Sequence, residues 1–466
     1  MDFKISIKSV KKIASIENLF FALALLFGLM MSFIGTPFQE CDGWDHFLRA
    51  VDVSYGNVLS PVATLNHSGG KLEIPENFSE INYHITEPGS GEGSAYKSYL
   101  KSFAPSKKST TINFNGGIMS VFYYPQAVGF LLGRLFGASV FGCVVLGRIF
   151  NLLAFLILAY IGIRISPVLK NSMIAIALFP MTIYQAASFS PDALLNGLCF
   201  LFTGLCFYYA FGKKEKLGIK EPLTLGIILA FIFLCKYVYV FLGLLVFLIP
   251  KEKFGDNREY FKKFMIALIP ILLLGIIAVK TAIGVVSGGA EKVVSAESAT
   301  AVSSMTPLQF LLASPVNVLK VLFYTFCYKL SDYILWLDVL GSLNYPLGPL
   351  IYIVPMFTLY VIGSEVTEKP DMIKIKHKLL ALLCFILVSL GVVLGIYIGD
   401  TRINHAVELL VQGVQGRYFI AVLPVAALVL APRKRTGKEK YFDYILLIVE
   451  FFILALSIYF LRGSCY

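Results

Sequence analysis

Residues 223–250 read LTLGIILAFIFLCKYVYVFLGLLVFLIP. Only Lys236-Tyr237 interrupts this apolar run, and basic clusters lie at both of its ends. A single crossing of a membrane would carry half of the basic loops to the opposite face. Two short crossings of about 14 residues, meeting near Lys236, keep every basic cluster on one side. That is below the usual minimum of about 17 residues. Cytoplasmic loops nevertheless collect Lys and Arg, and a bilayer can thin around a short span. The charge pattern therefore predicts a reversal at Lys236. Its ammonium then sits at the outer turn, either snorkelling to water or meeting an anionic head group.

The composition agrees with a membrane protein. Hydrophobic residues make up 57% of the 466 positions and charged residues 15%, whereas a soluble globular chain carries about 25% charge. Apolar stretches of roughly 20 residues recur, each long enough to cross a hydrocarbon core of about 30 Å. The expected fold is all-α, a polytopic transmembrane protein with one integral membrane domain over residues 1–466. The 40 Lys and Arg outnumber the 29 acids. They gather at Lys4–Lys12, Arg164–Lys170, Lys213–Lys220, Lys251–Lys263, Lys369–Lys378 and Arg433–Lys440. Cytoplasmic loops explain that excess, and no nucleic-acid partner is expected. The eight cysteines show no CxxC spacing, and most lie in apolar runs. They read as packing residues rather than a disulfide or zinc framework.

Four lysines precede an apolar run from about Leu19 to Ile34, with no small-x-small cleavage site after it. An uncleaved anchor with its amino end in the cytoplasm is expected. The resulting map has about eleven crossings, near 17–36, 139–165, 171–187, 192–211, 222–235, 237–250, 264–283, 345–363, 379–399, 418–431 and 441–461. It places the chain in the cell membrane with its carboxyl end outside. Three long outer loops follow, at 37–138, 284–344 and 400–417. Ala127–Phe136 and Val316–Trp336 are apolar segments within them, expected to lie as interfacial helices and to wall a groove open to lipid and water.

The first outer loop begins Cys41-Asp42-Gly43-Trp44-Asp45-His46-Phe47-Leu48-Arg49-Ala50. A helix here would put Asp42, Asp45, His46 and Arg49 on one face. A carboxylate so placed can act as a general base toward a hydroxyl. The guanidinium can pair with that carboxylate or with a phosphate. Two other readings fit the same spacing. One is a solvated juxtamembrane helix with an internal salt bridge. The other is a divalent-cation site; two acids and one His are a thin ligand set, and no cofactor is expected.

Other segments add candidates. Gln415-Gly416-Arg417-Tyr418 borders a crossing, and Gly416 lets the backbone approach a ligand; Arg417 also suits a head-group anchor. Ser190-Pro191-Asp192 reads as a helix start or gives Asp192 a binding or organising role. Tyr124-Pro125-Gln126 is a helix start whose Gln126 can hydrogen-bond a ligand hydroxyl. Arg148, Asn151 and Lys280 lie in or near crossings, where polar residues are functional candidates. Arg402 and His405 share the third outer loop with Arg417.

Anchor, acidic-His-Phe cluster, interfacial helices and many crossings, in that order, resemble the GT-C superfamily of polyprenyl-phosphate-sugar-dependent glycosyltransferases. The chain is more closely similar to the bacterial membrane-protein family called domain of unknown function 2142. Its pattern reads Pro-Asp-Glu-x-x-His-Phe-x-Arg-Ala, then Tyr-Pro-Gln-Ala, Ser-Pro-Asp-Ala and Gln-Gly-Arg-Tyr. Asp42, His46, Phe47, Arg49 and Ala50 stand in register, followed by Tyr124–Ala127, Ser190–Ala193 and Gln415–Tyr418. Gly43 stands where the family has Glu, and Asp45 adds an acid two positions on.

The resemblance implies inverting transfer of a sugar from a polyprenyl-phosphate carrier to a cell-surface glycan or other acceptor on the outer face. It casts Asp42 as the base, with Asp45 and His46 in the catalytic cluster. Arg417 and Lys236 are its candidates for the carrier phosphate, and Arg49, Gln415, Tyr418, Gln126 and Asp192 for the rest of the substrate. Asp42 and Arg417 are expected to face each other across the groove. Two further classes remain: a lipid or polysaccharide transporter or flippase, and a non-catalytic assembly protein of envelope glycan synthesis. A transporter would show inverted repeats and midplane polar residues; the sequence shows no repeat.

Overall fold

The computed structural model describes residues 15–57, 70–81, 86–114, 120–289, 307–335, 339–341, 344–365, 372–399, 409–411, 413–432 and 441–466. The protein is mostly helical. Among the described residues, five helices are long and apolar enough to cross a membrane: Ile16–Ile34, Val140–Ile165, Asp192–Phe211, Ile375–Ile398 and Phe442–Cys465. Shorter apolar segments, Tyr237–Leu248, Leu350–Gly363 and Gly416–Leu430, lie among them. Helices thus stand where crossings were expected, but five rather than about eleven meet the length and apolarity of a span.

Glycines decide how the central pair packs. Helices Val140–Ile165 and Asp192–Phe211 run side by side in parallel, with Gly197 on Leu158 and Gly204 on Gly162. A Cβ at Gly204 would lie 2.2 Å from the Gly162 carbonyl oxygen, and one at Gly162 would lie 2.4 Å from that of Phe200. Lipid tails are as apolar as leucine, so close backbone approach replaces the hydrophobic drive between such helices.

The reversal at Lys236 is present. An α-helix, Lys220–Cys235, ends there, Lys236 is extended at φ −147° and ψ 104°, and a 3-10 segment, Tyr237–Leu248, follows. Gly243 packs on Leu229 across that break, so the two halves fold back on each other. The low helix regularity of the second half suits its Tyr and Val content, since β-branched and aromatic side chains crowd an α-helical turn.

Basic clusters gather at one end of the molecule. Lys170 pairs with Glu17, Asn171 donates to Asp443 at 3.0 Å, and the Ser172 amide donates to Glu365 at 2.9 Å. Lys253 donates to the carbonyls of Tyr209 and Gly212. Phe211 meets the His377 ring, and Lys378 donates to the Ala431 carbonyl. The opposite end holds the first long loop. There Lys97 donates to Tyr466 at 3.0 Å and the Gly89 amide to the Ser464 carbonyl at 3.0 Å. The end of the last helix and the first loop therefore share a face.

Two antiparallel ribbons correct the all-α expectation. Gly70–Pro75 pairs with Ser109–Phe114, and Val339–Leu340 with Tyr345–Pro346. The longer one lies in the first loop, flanking the helix Glu92–Lys101. Of the two segments expected at the interface, one forms the helix Tyr124–Leu135, packed through Gly129 and Gly133 on Leu146 and Cys143. The other forms the helix Pro315–Leu335.

Two outcomes follow from this packing. Gly204→Leu should cost about 1–3 kcal/mol or more through overpacking, read as a lower melting temperature of the purified protein, while Gly363→Leu, in open space, should not. Single cysteines at Ser94 and Lys216 should label from opposite faces of intact cells. Labelling of both from one face would overturn the two-ended arrangement.

Candidate functional site

The site begins where the first anchor ends. Arg148, 2% exposed, reaches from the helix Val140–Ile165 to the carbonyls of Ser32, Gly35 and Thr36 at 3.2, 2.9 and 3.0 Å. A helix C-terminus leaves carbonyls without partners and favours a cation; here the cation comes from a neighbouring helix. Arg148 also lies 3.7 Å from Glu40, which is fully buried. The other Glu40 oxygen accepts the Phe189 amide at 2.9 Å. Asn151 donates to the carbonyls of Ser188 and Ser190 at 2.8 and 3.0 Å. These two intramembrane candidates thus hold backbone, setting the exit of the first helix against the start of the Asp192 helix.

The chain then turns through Phe38 and Asp42, both in the left-handed region at φ 65° and 58°. Asp tolerates that conformation better than most residues. Asp42 precedes the helix Gly43–Ser54; its carbonyl accepts the His46 amide at 2.9 Å, while its side chain makes no capping bond. The carboxylate is exposed, as is that of Asp45. Burial and the Asp42 charge raise the Asp45 pKa.

Gly43 admits no side chain. A Cβ there would lie 2.7 Å from the Phe38 carbonyl oxygen and 2.9 Å from the Glu40 carboxyl carbon. The space beside Gly43 is therefore filled by Glu40, a second acid that stands just before the segment quoted above.

His46 is partly buried. Its Nδ1 lies 2.9 Å from the Tyr123 hydroxyl, and Asp192, Asp42, Arg417 and Glu40 all act on it electrostatically. Burial outweighs the three acids and pushes its pKa down to about 4. Burial also raises the Tyr123 pKa well above 10, so this phenol keeps its proton. The contact with this phenol fixes the position of the neutral ring.

Three distant segments meet beside this ring. Asp192, 6% exposed, opens the helix Asp192–Phe211, and its amide donates to the Ser190 hydroxyl at 3.2 Å. Lys236 lies 2.5 Å from Asp192, and Arg417 Nε lies 4.0 Å from it. The Tyr418 ring faces both cations, 4.5 Å from Lys236 and 5.2 Å from Arg417. Tyr239 donates to the Tyr418 carbonyl at 2.5 Å, and Gln415 contacts Cys41 at 3.5 Å. Arg417 is 5% exposed. Its Nη2 donates to the Tyr418 hydroxyl at 3.4 Å, while Nε and Nη1 have no hydrogen-bond partner among the described residues.

The structure thus brings Asp42, His46, Asp192, Lys236, Gln415, Arg417 and Tyr418 to one place, with Asp45 at its exposed edge. Two candidates lie elsewhere. Arg49 is buried and pairs with Asp52 at 3.3 Å; Asp52 in turn accepts Asn57 and the Glu73 amide at 2.6 and 2.9 Å. Arg49 therefore anchors the loop's β-ribbon. Gln126 is fully buried and donates to the Phe189 carbonyl at 3.2 Å. Arg402, His405 and the Lys280 side chain lie outside the described residues. Sequence reasoning missed Glu40, Tyr123 and Tyr239. Of these, only Glu40 left a signal, an acid directly before the cluster. Among the described residues, no three His, Cys, Asp or Glu side chains form a metal-ligating group.

The geometry carries a pH dependence. His46 has a folded pKa of about 4 against about 6.5 when unfolded. The unfolded state therefore binds more protons between those values, and stability falls as pH drops from about 6.5 to 4. His46→Gln should flatten that slope in melting temperatures measured over the window. An unchanged slope would show that His46 is not held neutral.

Residues 25–429 match the model of a family described as predicted membrane protein, DUF2142. No curated protein and no solved structure matches the chain. The family match covers most of the chain, from within the first apolar helix to the end of Gly416–Leu430, so the protein belongs to the DUF2142 family of membrane proteins.

Proposed function

We propose that the protein is an inverting glycosyltransferase that uses a polyprenyl-phosphate sugar and works at the outer face of the cell membrane. The observation that carries this reading is the buried Arg417 guanidinium. Among the described residues, two of its nitrogens lack hydrogen-bond partners, and it shares one carboxylate, Asp192, with Lys236. One carboxylate for two cations leaves a formal positive charge in a largely buried pocket. Buried charge is costly unless paired, and a phosphate ester supplies the missing anion. The GT-C likeness of the motif order adds to the same reading.

The step balances as follows. Asp42 takes the proton of the acceptor hydroxyl. The acceptor oxygen attacks the anomeric carbon from the face opposite the carrier and forms the new C–O bond. The bond from that carbon to the phosphate oxygen breaks, and its electron pair leaves on the lipid phosphate. Arg417 and Lys236 stabilise that developing charge. His46 stands neutral between Asp42 and the cation pair, positioned by Tyr123. Asp192 holds the two cations in place.

The test uses the native host. Asp42→Asn should lower transfer by about 10²–10⁴-fold, the usual weight of a general base, and Arg417→Ala should abolish donor use. Cell-surface glycans of both strains are compared with wild type at matched protein levels. Wild-type glycans in both strains would defeat the enzyme reading.

A further inference from the structure

A cavity of about 330 Å³ lies directly beside the cation pair. Lys236, Tyr418 and the neighbouring Tyr237 and Tyr239 are part of its lining, and Leu234, Val392, Gly395 and Ile396 are among the apolar residues that complete it. It sits between the break at Lys236 and the helix Ile375–Gly399. It is open on one side, where Tyr237 is 58% exposed. Both walls belong to apolar segments of the bundle. Gly395 keeps the slot clear. A Cβ there would stand 3.2 Å from the Tyr237 hydroxyl and 3.4 Å from Val238, and any larger side chain would project into the space between those walls.

We infer that this slot holds the head-proximal part of a single isoprenoid chain whose phosphate rests on Lys236 and Arg417. The inference rests on the transferase reading for its occupant and extends it to a chain-binding site that the motifs do not touch. Charge complementarity selects the occupant. A neutral lipid would leave the excess cation unpaired, and a free phosphate would leave the apolar slot unused. The volume is near the lower end of the roughly 300–1,000 Å³ found for small-ligand pockets. One chain fits it, and two acyl chains side by side do not.

Binding to the full-length protein in phosphatidylcholine nanodiscs tests the inference, with farnesyl phosphate, inorganic phosphate and phosphatidic acid as probes. Farnesyl phosphate should bind at least about tenfold more tightly than inorganic phosphate, since its chain gains van der Waals contacts with the slot walls. Gly395→Leu should erase that advantage and leave inorganic phosphate binding unchanged, which also shows that the variant is folded. Ile396→Phe narrows the slot from a second position and should act in the same direction. Wild-type farnesyl phosphate binding in both variants would overturn the slot. So would phosphatidic acid that competes as well as farnesyl phosphate, because the site would then take an ordinary two-chain lipid. The measurement reads binding alone, so failure of the transfer reading would appear in the Asp42→Asn strain and not here.

Discussion

Asp192 is one carboxylate shared by two cations, and the geometry of the site depends on it. Lys236 comes from the break in a hairpin and Arg417 from a motif late in the chain, while Asp192 opens a central helix. Without the acid, two like charges would be forced together in a place that water barely reaches. The arrangement places the cations more than it neutralises them. Tyr418 adds an aromatic face to both, which weakens their repulsion at little desolvation cost. The backbone supports it too: Tyr239 ties the Tyr418 carbonyl, joining the hairpin to the late motif.

A second buried network sets the other half of the site. Arg148 holds the end of the first helix through three carbonyls, and Glu40 links that arginine to the Phe189 amide, three residues before Asp192. Glu40 also abuts Gly43. The turn carrying Asp42 is therefore braced against the same loop that starts the Asp192 helix. Removing one partner of such a pair leaves a buried charge uncompensated, at about 3–5 kcal/mol. Precision at Asp42 and at Asp192 thus has one origin.

Much of this was legible in the sequence because charge is expensive in a membrane. Lys236 in an apolar run announced the reversal, and the structure folds Gly243 back on Leu229. The basic clusters announced a common end, and contacts such as Lys170 with Glu17 join them there. Asp192, Lys236 and Arg417 stand out singly, but their convergence was not readable, because nothing local encodes contacts between residues 44 positions apart, as Asp192 and Lys236 are, or between these and the late Arg417. Arg49 shows the converse failure. Helical spacing put it on the face of Asp42 and His46, yet Asp52, three residues on, is an equally good local partner, and burial against the β-ribbon favours that pair. The ribbon itself escaped notice because Gly70–Pro75 and Ser109–Phe114 are short and set in polar sequence, where alternation is weak.

Position 43 shows how the two halves answer each other. Gly43 stands where the family pattern has Glu, and Asp45 adds an acid two positions on. Backbone and carboxylate instead close on that position from two sides, and the neighbouring acid is Glu40, turned inward to Arg148 and Phe189. An inward carboxylate cannot take a proton from a hydroxyl arriving through solvent, whereas Asp42 is exposed and makes no capping bond. The division of labour is then set by access. Solvent reaches the acids of the Gly43 helix, whereas Asp192 and Arg417 are buried. His46, neutral and fixed by Tyr123, stands between the exposed acid and the buried cations, and the charges of both act on it.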